Sequence, residues 1–303
     1  MRRRGAATAP RAWTDTLEDR WGLALNHTLS VGCWVLFQWT LVAAWMAATM
    51  PRGPGARRRG PSMWIAPTLL AVGVAVWTHV GPFGSGWEAE ALPVAVAAVG
   101  VLAIVLWVAG ALSARRPVVP AVVTTLVVMV WTACLGIAWN ASGRPSAPPA
   151  PPPWLSGLRV GAVLSGAWLL WSALKGAATG SGAERVWRSE VVRDLFRARA
   201  WRLLSATLAR TLALGASLTI ACRFDPIGPP YFIEALISAT SSTLAIRVLI
   251  GLVFPLLIGL LAVAAPSGDG ASARRQFMPA VVLIALGEIL AAGLSVAMGG
   301  LAF

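Results

Sequence analysis

Residues 241–265 read SSTLAIRVLIGLVFPLLIGLLAVAA, and Arg247 is the single charged side chain among them. A helix of that length rises about 37 Å, more than the roughly 30 Å of hydrocarbon in a bilayer. The run is continuously apolar and shows no polar–apolar alternation of period two, so it is not the strand of a membrane barrel. It is a membrane-spanning helix, and its neighbours repeat the pattern. Arg274 and Arg275 follow it, and then a further apolar run occupies 277–303. Upstream lie runs at 29–50, 63–83, 91–114, 118–140, 154–174 and 203–222. The expected architecture is all-α, an integral membrane bundle of about eight transmembrane helices forming one domain over 1–303.

Composition agrees. Hydrophobic residues make up 57% of the 303 and charged residues only 12%, too few charges to cover a soluble domain of this size. The net charge of +13 is concentrated in short gaps between apolar runs, unlike the diffuse basicity of a nucleic-acid binder.

The arginines also orient the chain. Arg52, Arg57, Arg58 and Arg59 fall in one gap, Arg115 and Arg116 in another, and Lys175 to Arg202 and Arg274–Arg275 in two more. The intervening gaps, 84–90, 142–153 and 223–240, carry few positive charges. The positive-inside rule places the arginine-rich set in the cytoplasm and both termini outside. Trp77, Trp87, Trp139 and Trp154 cluster at the proposed outer boundary, where amphipathic indoles collect. Residues 1–27 read as a tail and not as a cleavable signal, because Asp15, Glu18 and Asp19 interrupt the basic start. The segment 175–202 reads as a basic amphipathic piece on the cytoplasmic surface, held by anionic lipid or a soluble subunit. Trp187, Val191 and Leu195, with Phe196 beside them, supply its apolar side. The proline-rich 142–153 is a stiff spacer.

Few residues in such a chain can carry chemistry. There is no phosphate-binding glycine loop, no hydrolase nucleophile motif, no HExxH and no dinucleotide fingerprint. Cys33, Cys134 and Cys222 are isolated, so no zinc or iron–sulfur site is expected. The two histidines, His27 and His79, could in principle ligate one haem and are too few for two, and no haem is expected in this chain. His27 and His79 both fall at the outer boundary. His79 stands in Trp77-Thr78-His79-Val80-Gly81, and Glu88 and Glu90 follow closely. An imidazole that hydrogen-bonds a quinol oxygen, with carboxylates to pass protons to water, is the chemistry quinol oxidation requires. Glu288 lies inside the last apolar run, where a carboxylate is costly and is either paired or functional. Arg247 and Arg210 are its candidate partners in a structural ion pair; a proton path or quinone pocket is the other reading. Arg159 is close enough to its run's end to reach the interface.

Three short motifs carry a resemblance: Trp34-Val35-Leu36-Phe37-Gln38 in the first run, His79 with Gly81 and the following Glu88 or Glu90, and Gly287-Glu288 in the last. With the helix count and orientation, the chain resembles the membrane anchor subunit of dimethyl sulfoxide reductase-type molybdoenzymes. The resemblance implies a bacterial cytoplasmic-membrane protein that oxidises menaquinol and passes electrons to an iron–sulfur subunit, which serves a molybdopterin catalytic subunit. It also implies a quinol site at His79, Glu88, Glu90 and Glu288. Two other readings stand beside it: a secondary transporter with Glu288 and Arg247 on its path, and a membrane scaffold without redox activity.

Overall fold

A computed structural model describes residues 12–49, 62–79, 98, 100–109, 118–141, 153–178, 189–224, 242–264 and 270–297. All of its regular elements among these residues are helical: α1 (Ala12–Thr49), α2 (Ser62–His79), α3 (Gly100–Ala109), α4 (Val118–Ala141), α5 (Pro153–Ala177), α6 (Ser189–Phe224), α7 (Ser242–Ala264) and α8 (Gly270–Ala297). Five of them, α1, α5, α6, α7 and α8, are long and apolar enough to cross a membrane. In hydrocarbon a helix satisfies every backbone N–H and C=O internally, which is why continuous apolar runs resolve into helices.

The bundle is apolar outside as well as inside. Val119, Leu208, Leu212 and Leu261 are 59–68% exposed, a surface suited to lipid and not to water. The interior is built largely from small residues at helix contacts, among them Ala162, Ala167, Ala173, Ala200, Ala280, Ala291 and Ala292. α5 is the hub, packed against α1, α4, α6 and α8, while α2 lies along α1. Aromatic rings occupy the space that glycines leave. Trp131 of α4 stacks where a side chain on Gly73 would sit, and Phe277 of α8 covers Gly176 of α5. A smaller cluster of Ala44, Ala66, Trp107 and Ala121 joins α1 to α4, and the Trp107 indole donates to Thr124 Oγ1 at 2.8 Å.

The helix ends that flank the arginine-rich gaps come together. Lys175 Nζ, at the end of α5, donates to the Thr49 carbonyl at the end of α1 (2.6 Å). Arg199 Nη1 of α6 donates to the Lys175 carbonyl (3.0 Å). These cations answer the open carbonyls and negative dipole ends of two helices at once. Arg202 lies over the Trp171 ring, 5.2 Å from its centroid.

Two boundaries differ from the sequence reading. Residues 12–27, expected as a tail with Asp15 to Trp21 helical at the interface, are helical and continuous with the first span as α1. Residues 189–202 are not a separate helix on the membrane surface, because they run straight into the sixth span as α6. No glycine or proline interrupts α6 before Gly215. Val192, Phe196, Ala200 and Leu203 form one buried stripe that continues into the bundle. The buried face is therefore offset from the expected one: Val191 is half exposed, while Phe196 packs edge-on against Phe277 at 5.1 Å. At 36 residues, α6 is about 54 Å long and outruns the hydrocarbon. Trp201 is 58% exposed, as suits an indole at a membrane interface.

Candidate functional site: a buried ion cluster and a basic end

Glu288 is the point where the bundle's helices meet. It is 3% exposed, and its carboxylate takes donors from three other helices. Arg210 of α6 binds it through two parallel bonds, Nε to Oε1 and Nη2 to Oε2, each 2.9 Å. Arg247 Nη2 of α7 reaches Oε1 at 3.3 Å, and Gln38 Nε2 of α1 reaches Oε2 at 2.6 Å. α5 contributes by absence, since a side chain on Gly166 would occupy the place of the Gln38 amide and the carboxylate. Counted along the candidate membrane spans, the cluster lies about 7–15 Å from the arginine-poor end of the bundle.

α7 and α8 are brought together by a second pair of glycines. A Cβ on Gly287 would lie 2.5 Å from the Gly251 Cα, so only glycines allow this approach. Gly251 sits in a π-helical segment, Leu249–Val253, where the Phe254 N–H bonds the Leu249 carbonyl five residues back. Pro255 follows directly and has no N–H to give. The wider turn absorbs that missing donor, and it does so immediately after Arg247.

Among the described residues, two guanidinium groups, both 0% exposed, face one carboxylate. Arg159, expected to snorkel, is instead buried at 3% exposure toward the same end of the bundle. Replacing a buried ion cluster with apolar side chains is often neutral or stabilising, so a cluster like this does not arise from stability alone.

The second candidate site is the opposite, arginine-rich end. The exposed side of α6 carries Arg193, Arg197 and Arg202 together with Glu190 and Asp194, and Arg274 and Arg275 stand exposed at the start of α8. The buried stripe and the Lys175 and Arg199 caps hold this end to α1, α5 and α8. Beneath it a cavity of about 370 Å³ opens between α1, α4 and α5. Trp45, Thr49, Thr125, Trp168 and Trp171 line it together with small and branched apolar residues. Trp45 Nε1 is engaged by Thr125 Oγ1 at 3.0 Å, whereas the Trp171 indole N–H has no acceptor among the described residues.

Of the residues expected from the sequence to act, Glu288, Arg210 and Arg247 meet in one network. His79 is the final residue of α2, and its side chain, like that of His27, lies outside the described residues. Glu88, Glu90, Trp187 and the spacer 142–152 also lie outside them. Gln38 and Gly166 are additions from the structure. A glutamine within an apolar run was a visible signal, whereas one glycine among thirty was not. No family model, curated protein or solved structure matches this chain.

Proposed function

We propose that this chain is a membrane anchor subunit of a dimethyl sulfoxide reductase-type complex. In this reading about eight helices cross the cytoplasmic membrane of a bacterium, with both termini outside. An iron–sulfur subunit docks on the arginine-rich end, bridges to a molybdopterin subunit and receives electrons from menaquinol. The observation that carries the proposal is that the exposed arginines and the tryptophan-lined cavity share one end. Without haem in this chain, quinol and the partner's nearest cluster have to meet on the same face. Trp45, Trp168 and Trp171 offer flat apolar walls to a naphthoquinol ring. Oxidation would give two electrons to the partner and two protons to water at that face. His79, Glu88 and Glu90 are the alternative quinol site and would require docking at the opposite end. Glu288, held by donors from three helices, is better suited to be a fixed counter-charge than a proton carrier.

The test is purification in mild detergent followed by titration with a menaquinone analogue, read by tryptophan fluorescence. Co-purifying iron and molybdenum, with quenching that disappears in Ala48→Trp at unchanged thermal midpoint, is the expected result. Quenching that survives Ala48→Trp but is lost in His79→Ala would move the site to the other end.

The π segment beside Arg247 favours one other reading, a secondary transporter. Interrupted helices near a buried charged site are typical of transporters. Solute-dependent proton flux in liposomes holding the chain by itself, abolished by Glu288→Gln, would establish it in place of the anchor.

A further inference from the structure

We propose that the groove at the start of α8 binds one anionic phospholipid, its phosphodiester held by Arg274 and Arg275. The proposal does not rest on the anchor reading. Two rows of side chains spaced four residues apart run down this helix, Arg274, Met278 and Val282 in one and Arg275, Pro279 and Leu283 in the other. Rows of this spacing form neighbouring ridges with a furrow between them. Here the furrow is an open groove of about 930 Å³ lined by those six residues. Each ridge begins with a guanidinium and continues in apolar side chains. A phospholipid has the matching order, charged at one end and hydrocarbon beyond.

Depth and charge agree with this occupant. The apolar span of α8 begins at Arg274, so both arginines stand where hydrocarbon gives way to headgroups. Both are exposed, and neither is paired with a carboxylate among the described residues. A phosphodiester offers two oxygens to a guanidinium fork. Below them Met278, Val282 and Leu286 are 38%, 52% and 47% exposed. From Arg274 to Leu286 the row descends about 18 Å, slightly more than half of a roughly 30 Å core, so one acyl chain can lie along it. An acidic soluble protein could meet the arginines, but Val282 and Leu286 lie more than two turns deeper in the span. A zwitterionic lipid brings an ammonium of its own to the two arginines, whereas phosphatidylglycerol brings none.

The experiment uses the full chain in phosphatidylcholine vesicles. A trace of phosphatidylglycerol or phosphatidylcholine carries a diazirine in one acyl chain, and crosslinks are mapped by mass spectrometry. Residues 278–286 are expected to take at least about tenfold more label from phosphatidylglycerol. Arg274→Gln/Arg275→Gln should remove most of that preference at an unchanged thermal midpoint, and Arg193→Gln/Arg197→Gln should leave it intact. Equal labelling by the two lipids, or a preference undiminished by the first pair of substitutions, would overturn the proposal. So would loss of the label on adding equimolar glycerol phosphate, which would make the groove a site for a soluble phosphate ester. If the first variant fails to insert, the comparison of the two lipids on the unmodified chain decides.

Discussion

Arg210 and Glu288, 78 positions apart in sequence, meet fork to fork: Nε and Nη2 of the arginine each lie 2.9 Å from a different oxygen of the carboxylate. Gln38 and Arg247 add donors from α1 and α7 to the same two oxygens. One side chain of α8 thus sets the relative height of three other helices. Apolar contacts slide with little penalty, whereas a two-pronged charged bond in a dry interior tolerates little displacement. That makes the pair a register device for the bundle.

Removing the carboxylate should therefore cost much more than the pair is worth. Glu288→Gln takes the carboxylate away from two buried guanidinium groups. We expect it to destabilise the chain by about 3–5 kcal/mol, the usual penalty for orphaning one partner of a buried pair. In Arg210→Gln/Glu288→Gln the loss should be smaller than the sum of the two single losses by at least about 1 kcal/mol. Denaturation of all four proteins in the same detergent tests this, and strict additivity would show that the two residues do not act as a unit.

A pair of glycine substitutions in α5 separates packing at the cluster from helix propensity. At Gly166 a Cβ would overlap the Gln38 amide and lie 2.5 Å from Glu288 Oε2. At Gly161, on the same helix, it would meet nothing within 4 Å. Gly166→Ala should cost about 1–3 kcal/mol through overpacking. Gly161→Ala should be neutral or stabilising by up to about 1 kcal/mol, since alanine is the better helix former. Thermal midpoints that fall equally in both variants would contradict this account of Gly166.

The basic end contains two kinds of cation, and salt should tell them apart. Lys175 and Arg199 are buried helix caps, so Lys175→Met and Arg199→Met should each lower stability by about 1–3 kcal/mol with little salt dependence. Arg193 and Arg197 are exposed. Reversing both to glutamate should leave the thermal midpoint within about 1 °C while weakening capture of an acidic partner subunit. That capture in the unmodified protein should itself fall as salt rises from 50 to 300 mM, about a halving of the screening length. Salt-independent capture would place the partner elsewhere.

The helical runs were legible because the bilayer imposes length and hydropathy on each one separately. Residues 118–140 and 241–265 were read from sequence, and α4 and α7 occupy Val118–Ala141 and Ser242–Ala264. Glu288 and its two candidate arginines were legible for a related reason, since an ionised group in an apolar run stands out against its neighbours. The 189–202 segment was misread because its arginines suggested a solvated surface piece. Whether a helix ends or continues depends there on Phe196 finding Phe277, on a helix that begins 46 residues after α6 ends.

By itself, then, the sequence determined the helical membrane class of the protein and the apolar runs that become its helices. These follow from local properties summed over about twenty residues. Only the tertiary structure decided that Arg210 and Arg247 both turn to Glu288, that Gln38 joins them, and that Gly166 and Gly251 leave them room. It also showed that two helix ends are closed by Lys175 and Arg199. Such pairings depend on the rotation and height of each helix against its neighbours, which packing of small residues sets across long sequence separations, and a single helix's pattern carries no record of them.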